Sequence, residues 1–159
     1  MIVLLHNIRS LHNVGSIFRT ADAVGIEKIY LCGITPTPLD EFNQPRTQLT
    51  KVSLGAEKTV PWDGSARSPQ AIYKLLEKLK KDGYKIFALE ISKNSLPYNL
   101  LKFNFHRLKI VLIVGNEVRG LSKLILAKAD KILSIPMRGK KESLNVAVAF
   151  GIVAYHLSL

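Results

Sequence analysis

Apolar residues along this chain fall into short unbroken runs separated by helical stripes, and that alternation predicts strands and helices in turn. Residues 1–5 are a continuous apolar run ended by His6 and Asn7, the pattern of a buried strand. After a polar loop, a helix is expected over about 14–24, because Val14, Ile17, Phe18, Ala21 and Val24 fall on one stripe and Gly25 stands at a C′ stop. Gly15, Arg19 and Asp22 share another face of it. Residues 28–32 give a second strand closed by Gly33, completing a βαβ unit of the kind built on parallel sheet. The stretch 34–48, with Pro36, Pro38 and Pro45, reads as loop; 48–58 suits a short helix and 59–62 a short strand.

Ser68-Pro69 opens the clearest helix, with proline at its first position, the stripe Ile72, Leu75, Leu76, Leu79, and Gly83 at its end. Residues 85–90 are the next strand, 93–97 a polar stretch, and 109–114 the most β-branched strand, expected at the sheet centre. A loop over 115–120, a helix over 122–129 and a strand over 132–136, stopped by Pro136, follow. A basic loop around Gly139 then leads to a last helix with Ser143 as its expected N-cap. Val146, Val148, Phe150, Ile152, Val153 and Leu157 make that helix apolar all round, so protein should enclose it on most sides. It is too short to span a bilayer. The expected fold class is α/β, a largely parallel sheet with helices on both faces.

At 159 residues the chain fits a single domain, 1–159, with no linker and no appended RNA-binding domain expected. The first apolar run is too short for a signal peptide, and the lone Cys32 offers no disulfide framework, so a cytoplasmic setting is the default. The net charge of +11 changes the picture more. Basic residues recur along the whole chain, among them Lys78, Lys80, Lys81, Arg138, Lys140 and Lys141, with no detachable tail. Such a balance favours a polyanion partner, nucleic acid first, over a merely solubilising surface.

Three segments lie just past expected strand ends, where parallel sheets bind ligands. They are residues 13–19, residues 115–120 and the loop before the last helix. The first lacks the three-glycine dinucleotide spacing, and no Walker lysine motif is present. His6, His12, His106 and His156 show no metal-ligand spacing, so no metal is expected, and His156 reads as a packed core residue. Taken singly, Asn13 suits a helix cap, Glu117 a surface charge and Ser143 an N-cap.

Taken together the three segments resemble the motifs of the SpoU (TrmH-like) branch of the SPOUT methyltransferases. Asn13-x-Gly-x-x-x-Arg19-Thr-Ala is similar to the first motif and Val114-Gly-Asn-Glu117-x-x-Gly120-Leu to the second. Ile135-Pro-Met-x-Gly-x-x-x-Ser143-Leu-Asn145-Val-x-Val-Ala is similar to the third, with Ala147 where serine is often found. The order and spacing of the three motifs agree over the whole chain.

The resemblance implies a C-terminal trefoil knot and a homodimer with its site at the interface. It also implies S-adenosylmethionine as donor and methyl transfer to a ribose 2′-hydroxyl of RNA, transfer RNA first and ribosomal RNA second. Carried onto this chain, it implies cofactor contacts from Gly115, Gly120, Ile135 and Leu144, with Met137 and Leu89 nearby. Arg19, Asn13, Glu117, Ser143 and Asn145 are the implied catalytic set. Arginine keeps its charge in proteins, so Arg19 is expected to pair with a substrate phosphate and stabilise the developing alkoxide. Two other readings use the same residues: a catalytically silent RNA-binding protein of this fold, and a doubly wound nucleotide-binding protein.

Overall fold

The computed structural model describes residues 1–101, 108–116 and 118–158. Among the described residues seven parallel strands form one sheet: β1 (Ile2–His6), β2 (Lys28–Cys32), β3 (Trp62–Asp63), β4 (Lys85–Leu89), β5 (Leu96–Pro97), β6 (Ile110–Val114) and β7 (Lys131–Ser134). Their order is β3-β2-β1-β6-β4-β7-β5. The β-branched strand β6 holds the centre as expected, buried along its whole length between β1 and β4.

Side-chain alternation splits the core in two. Val3, Leu5, Ile29, Leu31, Leu112 and Val114 face one side, where Val14, Ile17 and Phe18 of α1 (Leu11–Val24) pack with Phe150 and Val153 of α6 (Val146–Ser158). Ile2, Leu4, Ile86, Ala88, Val111 and Ile113 face the other. There they meet Ile72, Leu76 and Leu79 of α4 (Pro69–Lys81) and Ile125 of α5 (Lys123–Lys128). A strand apolar on both faces needs cover on both, which is why the uninterrupted apolar runs were strands of a parallel sheet.

The helix ends follow local chemistry. Ser68 caps α4 by accepting from the Ala71 N–H at 3.2 Å, and Ser122 caps α5. Helix α1 starts at Leu11, earlier than its apolar stripe suggests, because Ser10 Oγ accepts the Asn13 N–H at 3.2 Å. The expected helix over 48–58 is two helices, α2 (Thr47–Ser53) and α3 (Ala56–Thr59). Leu54 at φ 52 and Gly55 at φ 94 interrupt them, since left-handed backbone cannot continue a right-handed helix. Thr59 therefore ends a helix, and the strand expected over 59–62 is displaced to Trp62–Asp63.

Within the stretch read as polar over 93–97, Leu96 and Pro97 form the edge strand β5, followed by a 3-10 helix, Tyr98–Leu100. The chain thereby crosses from β4 past β7 within residues 90–95, for Leu89 and Leu96 both pair with Leu133. Strand β7 ends at Ser134, two residues before Pro136. The last helix is less enclosed than its composition suggested. Val146, Phe150, Val153, Ala154 and Leu157 are buried, while Val148 and Tyr155 stand about half exposed. His156 packs its ring edge-on against Tyr98, with centroids 5.1 Å apart.

Gly15 sets how closely α2 approaches α1. A Cβ there would lie 2.6 Å from the Leu49 carbonyl oxygen and 3.0 Å from Val52 Cβ. Both neighbours belong to a packed helix, so neither yields cheaply. Gly15→Ala is expected to cost about 1–3 kcal/mol, lowering the thermal midpoint by several degrees; unchanged thermal unfolding would show that the helices adjust freely.

Candidate active site

Loops leave the carboxyl edge of the sheet after β4, β6 and β7, and they enclose a cavity of about 380 Å³, a size suited to a nucleoside-like ligand. Leu89, Gly115, Gly120, Ile135, Met137 and Leu144 all line it. These are the six residues nominated from sequence as cofactor contacts, drawn from three distant segments. Glu90, Asn116, Ser134 and Val146 add to the wall.

The turn after β6 is built around two glycines. A Cβ on Gly115 would come within 2.7 Å of Leu121 Cγ and 2.9 Å of the Gly120 carbonyl carbon. Gly120 itself sits at φ 62, and a Cβ there would collide with the Glu90 carboxylate. Glu90 explains the crowding: Oε2 accepts the Leu121 N–H at 2.7 Å and Oε1 the Ile91 N–H at 2.9 Å. Asn116 closes the turn, accepting from the Val118 and Arg119 N–H groups at 2.9 Å each. Its Nδ2 donates to the Asn7 carbonyl at 2.8 Å, which ties this loop to the one after β1. Glu90 and Asn116 escaped the sequence reading as site residues. Asn116 lay inside the second motif, whereas nothing local marks Glu90.

The five nominated catalytic residues do not share one location. Ser143 lines the cavity and is exposed. It is not the cap of α6. Asn145 fills that place, its Oδ1 accepting the Ala147 N–H at 2.9 Å and the Val148 N–H at 3.4 Å, its backbone carbonyl the Ala149 N–H at 2.9 Å. The helix begins at Val146, so only the residue just before it reaches those amides. Asn145 Nδ2 also donates to Asn13 Oδ1 at 3.1 Å, joining α6 to the first turn of α1. Arg19 lies two turns further along α1, exposed, outside the cavity wall of its own chain and in no salt bridge among the described residues. Glu117 lies outside the described residues.

Two titratable groups near the strand ends are set by burial. The Cys32 thiol is pushed up to about 12 by desolvation, against a smaller opposing pull from Arg67, so it is no thiolate near neutral pH. Burial likewise lowers the His6 imidazole below its ordinary value, keeping it neutral. No helix among the described residues is long and apolar enough to cross a membrane.

Comparison with known proteins gives a consistent result. The model of the SpoU rRNA Methylase family matches residues 1–155. A tRNA (guanosine(18)-2′-O)-methyltransferase of Aquifex aeolicus is 33% identical over 156 residues, covering 98% of this chain and 67% of its own length. The SpoU methyltransferase AviRb of Streptomyces viridochromogenes, in complex with the cofactor AdoMet, aligns with a TM-score of 0.82 at 26% identity. That alignment covers 99% of this chain and 59% of AviRb. A structure concerned with the 2-OH methylation of C/U34 on tRNA aligns with a TM-score of 0.76 at 29% identity, covering 98% of this chain and 92% of that one. The chain thus spans about three fifths of AviRb and two thirds of the Aquifex enzyme.

The two candidate caps separate by stability. Asn145→Ala should destabilise the fold by about 1 kcal/mol, the usual worth of an N-cap, and Ser143→Ala by under about 0.5 kcal/mol, as for an exposed side chain. Urea unfolding of the two variants checks this; equal losses would return the cap to Ser143.

Proposed function

The chain belongs to the SpoU rRNA methylase family, and from that membership we propose that it transfers a methyl group from S-adenosylmethionine to a ribose 2′-hydroxyl of RNA. One observation carries the reading. Five residues nominated from the second and third motifs meet Leu89 in the wall of a single cavity whose glycines leave no room for side chains.

The wall suits such a donor. Gly115 and Gly120 let the turn fold tightly against Leu121 and Glu90 at the cavity wall, and Leu89, Ile135, Met137 and Leu144 offer apolar contact for a flat ring and a thioether-like chain. The donor, when bound, supplies a methyl group on a sulfonium. What remains for the chain is to hold an oxygen nucleophile in line and stabilise it as its proton passes to the neighbouring substrate phosphate or to water.

Arg19 is the residue assigned to that stabilisation. Its guanidinium pairs with a phosphate beside the target ribose and faces the developing alkoxide. Because Arg19 lies off its own chain's cavity, the assignment requires a second copy to present it. A homodimer over the outward faces of α1 and α6 fits this. Thr20 packs on Gly151 there, and Val148 and Tyr155 remain half exposed beside it. Ser143, on the cavity wall, orients the hydroxyl. Asn145 and Asn13 act as positioning residues through their mutual hydrogen bond, and Glu117 is assigned a bracing role on the family motif alone.

The trefoil knot belongs to the same proposal. It is supported by the passage of β4 to β5 across β7, the strand from which the chain goes on to α6. The domain's own surface then recognises RNA, through the loops over 35–48 and 138–141. Phe42 is 75% exposed at the tip of the first, offering a stacking face, and Arg138, Lys140 and Lys141 are exposed in the second. Transfer RNA is the first assignment and ribosomal RNA the second, in the cytoplasm.

Arg19→Ala should leave S-adenosylmethionine affinity by calorimetry unchanged while methyl transfer to bulk RNA falls by roughly 10²-fold or more, the scale of a lost transition-state contact. Turnover close to wild type would remove Arg19 from the mechanism. Binding of bulk transfer RNA should weaken by about 10³-fold between about 50 and 200 mM salt as counterions are released. A flat filter-binding titration would count against an electrostatic docking face.

A further inference from the structure

A second cleft, of about 360 Å³, opens at the same sheet edge among the loops after β1, β2 and β3. Its charged lining is three arginines, Arg9, Arg46 and Arg67, with no carboxylate. None of the three forms a salt bridge among the described residues. Two acids near them in sequence, Asp40 and Asp63, are engaged elsewhere. Asp40 accepts the Phe42 and Gln44 N–H groups at 2.9 and 2.8 Å, and Asp63 accepts from Ser65 N–H at 2.8 Å and pairs with Lys28 at 3.5 Å. Three guanidinium groups gathered without a counter-charge repel one another, which is a cost unless an anion joins them.

The cleft is also rigid. Arg67 Nη1 donates to the Gly33 carbonyl at 3.0 Å and the Thr35 carbonyl at 2.6 Å, which fixes the plane of its guanidinium. Thr35, fully buried, takes the Ile8 N–H at 3.1 Å and gives its hydroxyl proton towards the Leu5 and Cys32 carbonyls at 3.0 and 2.8 Å, locking the loops after β1 and β2 together. Arg46 Nε is shielded from solvent within the chain and has no hydrogen-bond partner among the described residues, whereas buried donors in proteins are generally matched.

We propose that this cleft binds a phosphodiester of the RNA backbone, close to the nucleotide that receives the methyl group. The inference rests on the methyltransferase reading and adds a subsite to it. Residues 7–13 form one wall of the arginine cleft, through Arg9 and Leu11, and are tied to the loops beside the cavity: the Asn7 carbonyl holds Asn116 of the cavity turn, and Asn13 holds Asn145. A strand whose ribose reaches the cavity would carry its neighbouring phosphate along this wall. Arginine suits the task because its planar fork meets two phosphate oxygens at once.

The test uses the full chain, with Arg9→Gln and Arg46→Gln as variants. Arg67 is left intact because it supports a loop. Filter binding of bulk transfer RNA across a salt series should give a slope of log affinity against log salt shallower by roughly one phosphate contact for each variant, with affinity about tenfold weaker. Arg46→Lys should regain the salt slope but only part of the affinity. Calorimetry with S-adenosylmethionine should not distinguish the variants from wild type. Unchanged slopes in both glutamine variants, with wild-type binding intact and salt-dependent, would overturn the subsite alone. A wild type that binds neither RNA nor S-adenosylmethionine would overturn the parent reading as well. Inorganic phosphate supplies the remaining arm: if it binds wild type and is lost in the variants while their RNA slopes stay unchanged, the cleft serves a free anion and not RNA.

Discussion

A parallel sheet ends, at its carboxyl edge, in loops whose backbone amides have left the ladder and must find other partners. In this chain a few side chains supply them. Asn116 and Glu90 hold the turn after β6, Asn145 holds the start of α6, and Thr35 holds the loops after β1 and β2. Each also reaches a second segment: Asn116 to Asn7, Glu90 from the end of β4 to Leu121, Asn145 to Asn13, Thr35 to Leu5 and Ile8. The groups that satisfy the backbone are therefore the same groups that fix the loops relative to one another. Both clefts are spaces left largely between loops so fixed, which lets them keep their shape although regular elements supply only part of their walls.

The elements legible in the sequence are those whose signals are local. Helix α4 carries a serine cap, a proline at its first position and a clear stripe, so its bounds could be read directly. Strand β6 carries five consecutive β-branched or leucine residues, which only a position buried on both faces explains. The features that escaped are those decided by distant contacts. Leu96 and Pro97 are a strand only because β7 lies beside them. Leu54 adopts left-handed backbone without any glycine-like signal, and Gly55 beside it was the one local mark of the break between α2 and α3. Ser143 and Asn145 are both good capping types, and the choice between them coincides with the bond from Asn145 to Asn13, a hundred and more residues away.

The site was legible in a similarly divided way. Most of the cavity residues could be named because the second and third motifs keep fixed spacing, and parallel strands then deliver their ends to one edge. Glu90 could not be named, since its role comes from where the turn at Gly120 happens to pass. Arg9, Arg46 and Arg67 are widely separated in the chain and lie in no shared pattern. Only the adjacency of β1, β2 and β3 brings them together. Sequence could report an excess of positive charge but not where it is concentrated.

The two clefts differ in a way that suits one reaction. The first is lined mainly by apolar side chains and backbone, the kind of surface that holds an uncharged ring by contact and by amide hydrogen bonds. The second is lined by cations and would hold a highly charged chain. In the first cleft the single arginine of the lining, Arg119, is accompanied by Glu90 and Glu142, so a methyl donor that bears positive charge would not meet there the uncompensated cations of the second. The acceptor strand, by contrast, brings a phosphate for every nucleotide and needs cations along its path. Arg19 stands apart from both clefts within one chain, which is the geometry expected if the last charge is delivered only when a second copy and the acceptor are both in place.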